Sequence, residues 1–170
     1  LNKQIKMKKL ALLAVFGLLT LGTYAQKIGH INSQELLSLM PERTTAETSL
    51  QDYAKGLESQ LTSMQTEYQS MVENYQNNEG SYDDLTKQDK IAEIQSLQER
   101  LTTFQQSAQS SLQQKEQELL QPILEKAQNA IDEVADKGKY TYILDSSAGL
   151  ILYSKDSEDI LDKVKKELGL

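Results

Sequence analysis

The chain has no cysteine and no tryptophan, one histidine, two phenylalanines and two prolines among 170 residues. Each shortage closes a class of chemistry. Without cysteine there is no disulfide, no thiol nucleophile and no lipid-anchored cysteine, even in an exported compartment where disulfides persist. With His30 the sole histidine and no cysteine, a His/Cys metal site or a Ser-His-Asp arrangement would have to form from almost nothing. His30 reads as a structural residue of a short strand. The eight glycines are dispersed and none belongs to a phosphate-cradling or dinucleotide pattern. The carboxylates are scattered over helix surfaces, as solvated faces are. No catalysis, cofactor or metal is expected.

Cationic side chains are also scarce. The formal net charge is −7, and residues 1–25 carry four lysines (Lys3, Lys6, Lys8, Lys9) and no acid, so the remainder stands at −11. Phosphate backbones require clustered Lys and Arg, and no such cluster exists. Nucleic acid is not an expected partner.

Long apolar runs are limited to one. Leu10 to Leu21, broken only by Gly17 and Thr20, follows Met7-Lys8-Lys9 and precedes Thr23-Tyr24-Ala25. Basic, apolar and small-residue regions in that order make a secretory signal. Twelve helical residues span about 18 Å, against roughly 30 Å of membrane hydrocarbon. Residues 1–25 are therefore read as a cleaved signal peptide, with 1–6 upstream of a start at Met7. Residues 26–170 are then a single exported, soluble domain.

What the chain has in abundance is helical repetition. Leu50, Ala54, Leu57, Leu61, Met64, Tyr68, Met71 and Tyr75 alternate spacings of four and three, a narrow seam with the period of a coiled coil. Asn77 to Ser81 supplies turn residues. A second periodic stretch follows through Ile91, Ile94, Leu97, Leu101, Phe104, Ala108 and Leu112. Folded back about residue 81, the two stretches pair Met71 with Ile91, Tyr68 with Ile94, Met64 with Leu97, Leu61 with Leu101 and Leu57 with Phe104. The predicted element is an antiparallel helical hairpin over 42–120. Between Gln105 and Glu118 only Ala108 and Leu112 are apolar, so that zone is thinly packed and expected to flex. Pro122 is expected to kink the second helix. At the root, Leu39 is expected opposite Ile123, with Leu36, Leu37 and Met40 near Leu124 and Ala127.

Residues 26–41 and 121–170 form the predicted body. Ile28 and Ile31 lie in a short β-like run, and Pro41 should bend the chain after a first short helix. Tyr140 to Asp145 and Leu150 to Tyr153, separated by Ser146-Ser147-Ala148-Gly149, read as a β-hairpin covered on both faces. A last helix carries Ile160, Leu161, Val164 and Leu168. The fold class is mainly α, a long coiled-coil hairpin projecting from a small oligomerising sheet. So few strands bury little area, and Ile28, Ile31, Tyr140, Tyr142, Leu144, Leu150 and Leu152 are the candidates for a shared body.

The stretch PILEKAQNAIDEVADKGKYTYILDSSAGLILYS, Pro122 to Ser154, and KIGHINSQELLSLMPE, Lys27 to Glu42, resemble the Skp (OmpH-type) periplasmic chaperones. That resemblance implies the periplasm as the compartment and a homotrimer with three prongs around a cavity. It also implies an ATP-independent holding function for unfolded outer-membrane β-barrel proteins. Well-known members are strongly basic, so their contacts with acidic clients or lipopolysaccharide are not carried over to this acidic chain. A structural or adaptor coiled coil of the envelope is the alternative reading. For client contact the candidates are the seam residues Met64, Tyr68, Met71 and Tyr75, adaptable amphipathic side chains, and Tyr53, Val72 and Tyr82, which lie off the seam.

Overall fold

The structure, a computed structural model, describes residues 26–149, 151–155 and 157–170; the signal-peptide expectation lies outside them. In chain order the elements are β1 (Ile28–Ile31), α1 (Ser33–Leu39), α2 (Pro41–Asn78), a 3-10 turn (Glu79–Ser81), α3 (Asp84–Gly138), β2 (Tyr142–Asp145), β3 (Glu158–Asp159) and α4 (Leu161–Leu168).

The two long helices begin and end for local reasons. The Asn32 side chain accepts the Glu35 N–H at 3.0 Å and opens α1. Pro41 disfavours helical backbone at Met40, which is extended (φ −77°, ψ 122°) and so separates α1 from α2. Helix α2 then runs for 38 residues, roughly 57 Å at 1.5 Å per residue. The chain reverses at Glu79–Ser81, and Asp83 starts α3 by accepting the Thr86 N–H at 2.7 Å. Helix α3 continues for 55 residues, uninterrupted through Pro122.

The helices pack antiparallel as a hairpin. Met71 shares one groove with Ile94, and Met64 shares another with Phe104. These groupings correct the predicted pairing, which set Met71 against Ile91 and Met64 against Leu97, and one seam position differs as well. Ile91 is exposed, and Lys90 takes the inward place opposite Met71 and Asn74. Lys90 lies seven residues before Leu97 and repeats its position on the helix, whereas Ile91 is rotated outward. In the thinly packed zone Ala108, Ser111, Leu112 and Lys115 are all only half-buried, so polar side chains occupy part of the seam.

The body holds the core. Ile31, Leu36, Met40, Ala46, Ile123, Ala127, Ala130, Val134, Ile160 and Val164 form one buried cluster from β1, α1, the roots of α2 and α3, and the start of α4. Fully burying an aliphatic side chain stabilises by about 1.5–3 kcal/mol, so these few contacts anchor both long helices. The predicted root pairing is corrected at two positions: Leu39 and Leu124 are exposed, while Leu36 and Met40 meet Ile123 and Ala127 inside.

The sheet is three-stranded in the order β2-β1-β3, with both pairings parallel. Among the described residues the expected β-hairpin does not form. Tyr142–Asp145 pairs with the N-terminal strand instead, in the register Ile28↔Tyr142 to Ile31↔Asp145. Asp145 ends the strand by accepting hydrogen bonds from the Ser33 hydroxyl (2.6 Å) and the Ser147 N–H (2.8 Å). Residues 151–155 then pass with no strand assigned, and the third strand is Glu158–Asp159. Gly29 is buried where the sheet meets the core, with Ile160 and Tyr140 so close that a Cβ would lie 3.2 Å from each.

Candidate functional site

Two surfaces stand out: the hairpin, here called the prong, and the sheet face turned away from the core.

On the prong, Met64, Tyr68, Met71 and Tyr75 are half-buried between the helices, so they both fill the seam and reach its rim. The seam does not close into a dry core. Shallow grooves run beside it, one of about 550 Å³ touching Glu67, Met71, Asp89, Glu93 and Leu97. A second, of about 470 Å³, touches Met64, Glu99, Arg100 and Phe104. Tyr53 is exposed and Val72 half-buried. Tyr82 is built into the tip, its ring centroid 6.3 Å from that of Tyr75 and its hydroxyl donating to Asn74 Oδ1 at 3.1 Å. Leu85, 70 % exposed, is an apolar residue that the periodic pattern did not include, and Ile91, expected in the seam, is exposed as well. Counting heptads back from Leu97 shows the signal: Lys90 falls in the seam, and Leu85 and Ile91 fall outside it.

The body candidates divide by the pleat, because paired residues of parallel strands share a face. Ile31 is 2 % exposed and belongs to the chain's own core. Tyr140 is also packed within the chain. Its ring lies 4.0 Å beneath Lys27 Nζ, its hydroxyl donates to Glu158 at 2.5 Å, and Lys163 donates to both Glu158 (2.5 Å) and the Tyr140 oxygen (3.0 Å). Those hydrogen bonds, from Lys163 first, then Tyr140 and Lys27, hold the Glu158 carboxyl at about 2. Ile28, Tyr142 and Leu144 occupy the opposite face, with Tyr142 59 % exposed and Leu144 exposed beside it. Leu152 is 94 % and Tyr153 80 % exposed. Leu150 lies outside the described residues. Strand β2 is at the sheet edge, so its outer backbone groups are open to another strand.

At the prong root Lys126 pairs with Glu42 across the two helices, and its hydrogen bond lowers the Glu42 pKa. His30 Nδ1 lies 2.7 Å from the Ser157 hydroxyl, joining β1 to the segment before β3. Among the described residues, no group of three His, Cys, Asp or Glu is placed to hold a metal, and no helix is long and apolar enough to cross a membrane.

Comparison with known proteins gives a consistent picture. The chain is 28 % identical over 166 residues to the chaperone protein Skp of Photorhabdus luminescens, covering 95 % of this chain and 99 % of that one. It is 26 % identical over 145 residues to the Skp chaperone of Yersinia enterocolitica, covering 85 % and 87 %. Its fold matches the crystal structure of an OmpH-like outer membrane chaperone from Caulobacter crescentus with a TM-score of 0.73, at 17 % identity and 86 % coverage of each chain. The family described as outer membrane protein (OmpH-like) matches residues 27–168. The chain belongs to the OmpH-like family.

Proposed function

We propose that this protein is an ATP-independent holding chaperone of the periplasm that keeps unfolded outer-membrane β-barrel proteins from aggregating. The observation that carries the reading is membership of the OmpH-like family across nearly the whole described chain, with relatives named as Skp chaperones. The geometry supports it. A prong with shallow grooves and scattered exposed apolar side chains offers many weak contacts and no deep pocket. Each covered apolar group contributes on the order of 1 kcal/mol, so a client is held by several at once and released without nucleotide.

The working form is a homotrimer. A three-stranded sheet with Tyr142 and Leu144 exposed on its open face and β2 at its edge is marginal alone, and further copies would cover that face. Three prongs rooted in one body also raise the effective concentration of contacts around a client. Residues 1–25 serve as the export signal, and no catalytic step is part of the function.

The test is suppression of aggregation. Trimer added in molar excess over an unfolded β-barrel diluted from urea should hold it soluble without ATP. A protein that only spaces fixed envelope partners would leave the barrel to aggregate, and that result would end the chaperone reading.

A further inference from the structure

The acidity of the chain is not spread evenly. Gly56 to Gln106, the distal part of the prong, carries nine carboxylates against two lysines and Arg100, which is −6 of the −11 outside residues 1–25. Lys90 is paired with Glu93 at 2.8 Å, and no other ion pair occurs on this stretch among the described residues. Glu67, Asp89 and Glu93 border the groove of Met71 and Leu97, and Glu99 borders that of Met64 and Phe104. Arg100 stands between the two grooves as their opposing cation. Apolar contact points thus sit inside a field that is negative on balance.

Resting on the holding reading, we infer that the distal grooves take unfolded segments in which Lys or Arg adjoins apolar residues, so that this chaperone prefers cationic stretches of its clients. An apolar side chain seats against Met71 or Met64 while its cationic neighbour meets Glu67, Asp89 or Glu99. An anionic stretch gains the same apolar contact but meets like charge, which costs affinity and slows encounter. Because the carboxylates are exposed, added salt erases the difference.

The experiment uses a charge-inverted pair of one unfolded β-barrel sequence, with the same length and apolar content, and measures the chaperone needed for half-protection. At low salt the cationic member should need about tenfold less chaperone, and the ratio should approach one near about 0.3 M salt, where the screening length is only a few ångströms. A Glu67→Gln/Asp89→Asn/Glu99→Gln variant of unchanged helicity should lose most of the preference while still protecting the acidic member. Equal protection of the pair by the native chain, or a preference that salt leaves untouched, overturns this inference and leaves the holding function standing. Protection of neither client overturns both. Should the variant fail to fold, the salt series on the native chain decides alone.

Discussion

Gly138 and Tyr140 are packed so closely at the end of α3 that a Cβ on Gly138 would overlap the tyrosine ring. The ring has little room to retreat, because Lys27 lies over its face and Glu158 and Lys163 bond its hydroxyl. The αL residue that ends the helix is Lys139 (φ 54°), so Gly138 is needed for this contact and not for backbone freedom. Gly138→Ala gains up to about 1 kcal/mol of helix propensity but overpacks at a typical cost of about 1–3 kcal/mol. The expected net effect is a destabilisation, read by denaturant unfolding. In a Tyr140→Ala background the same change should become neutral or stabilising.

Acid should loosen the body. Hydrogen bonds from Lys163, Tyr140 and Lys27 bring Glu158 to about 2. Partial burial raises the Asp145 pKa, yet the hydrogen bonds from Ser33 and Ser147 outweigh it and bring that carboxyl also to about 2. Unfolded, both titrate near 4. The unfolded chain therefore binds more protons between those values, so the stability these groups add is complete above about pH 5 and is lost as pH falls toward 2. Glu158→Gln should be less stable than the native chain at neutral pH, with the gap closing on acidification in thermal melts.

Gly56 lies inside α2 with nothing within 4 Å of where a Cβ would stand. It is one turn from Gln60, which shares a groove with Phe104 and Ser107. Gly56→Ala should stabilise the prong by about 0.5–1 kcal/mol and slow amide exchange across Gln105 to Glu118. If the protein grips clients of different size by flexing there, the stiffer variant should protect large barrels less well than small ones.

Tyr142→Asp with Leu144→Asp places charge on the open sheet face without touching the chain's own core. With that face as the assembly surface of the proposed trimer, sedimentation should show a fall to the protomer mass, with helicity largely retained. An unchanged native mass would exclude that face as the assembly surface.

Among prong residues, Tyr53→Ser with Leu85→Ser should reduce client protection while shifting stability by no more than about 0.5 kcal/mol, as surface changes do. Tyr82→Ser should instead loosen the tip, because its ring packs on Tyr75 and such aromatic pairs contribute about 0.5–1.5 kcal/mol. Comparing melts and aggregation assays separates the two effects.

The helices, their turn near residue 81 and the bend at Pro41 were legible in the sequence because the forces behind them are local. Apolar repetition every 3.5 residues, capping by Asn32 and Asp83, and the steric demand of proline all act within a few residues. The sheet was not legible. Leu150 to Tyr153 has the composition of a strand, yet β2 pairs with Ile28–Ile31, more than a hundred residues earlier, because the helical hairpin returns the chain to its own start. The same non-local packing turned Leu39 and Leu124 outward, drew Ile31 and Tyr140 inside and left Tyr142 and Leu144 open. The sequence alone determined that a prong exists and where it turns. Only the tertiary structure decided which apolar side chains the body uses for itself and which remain for a partner, since that choice depends on neighbours brought together from distant parts of the chain.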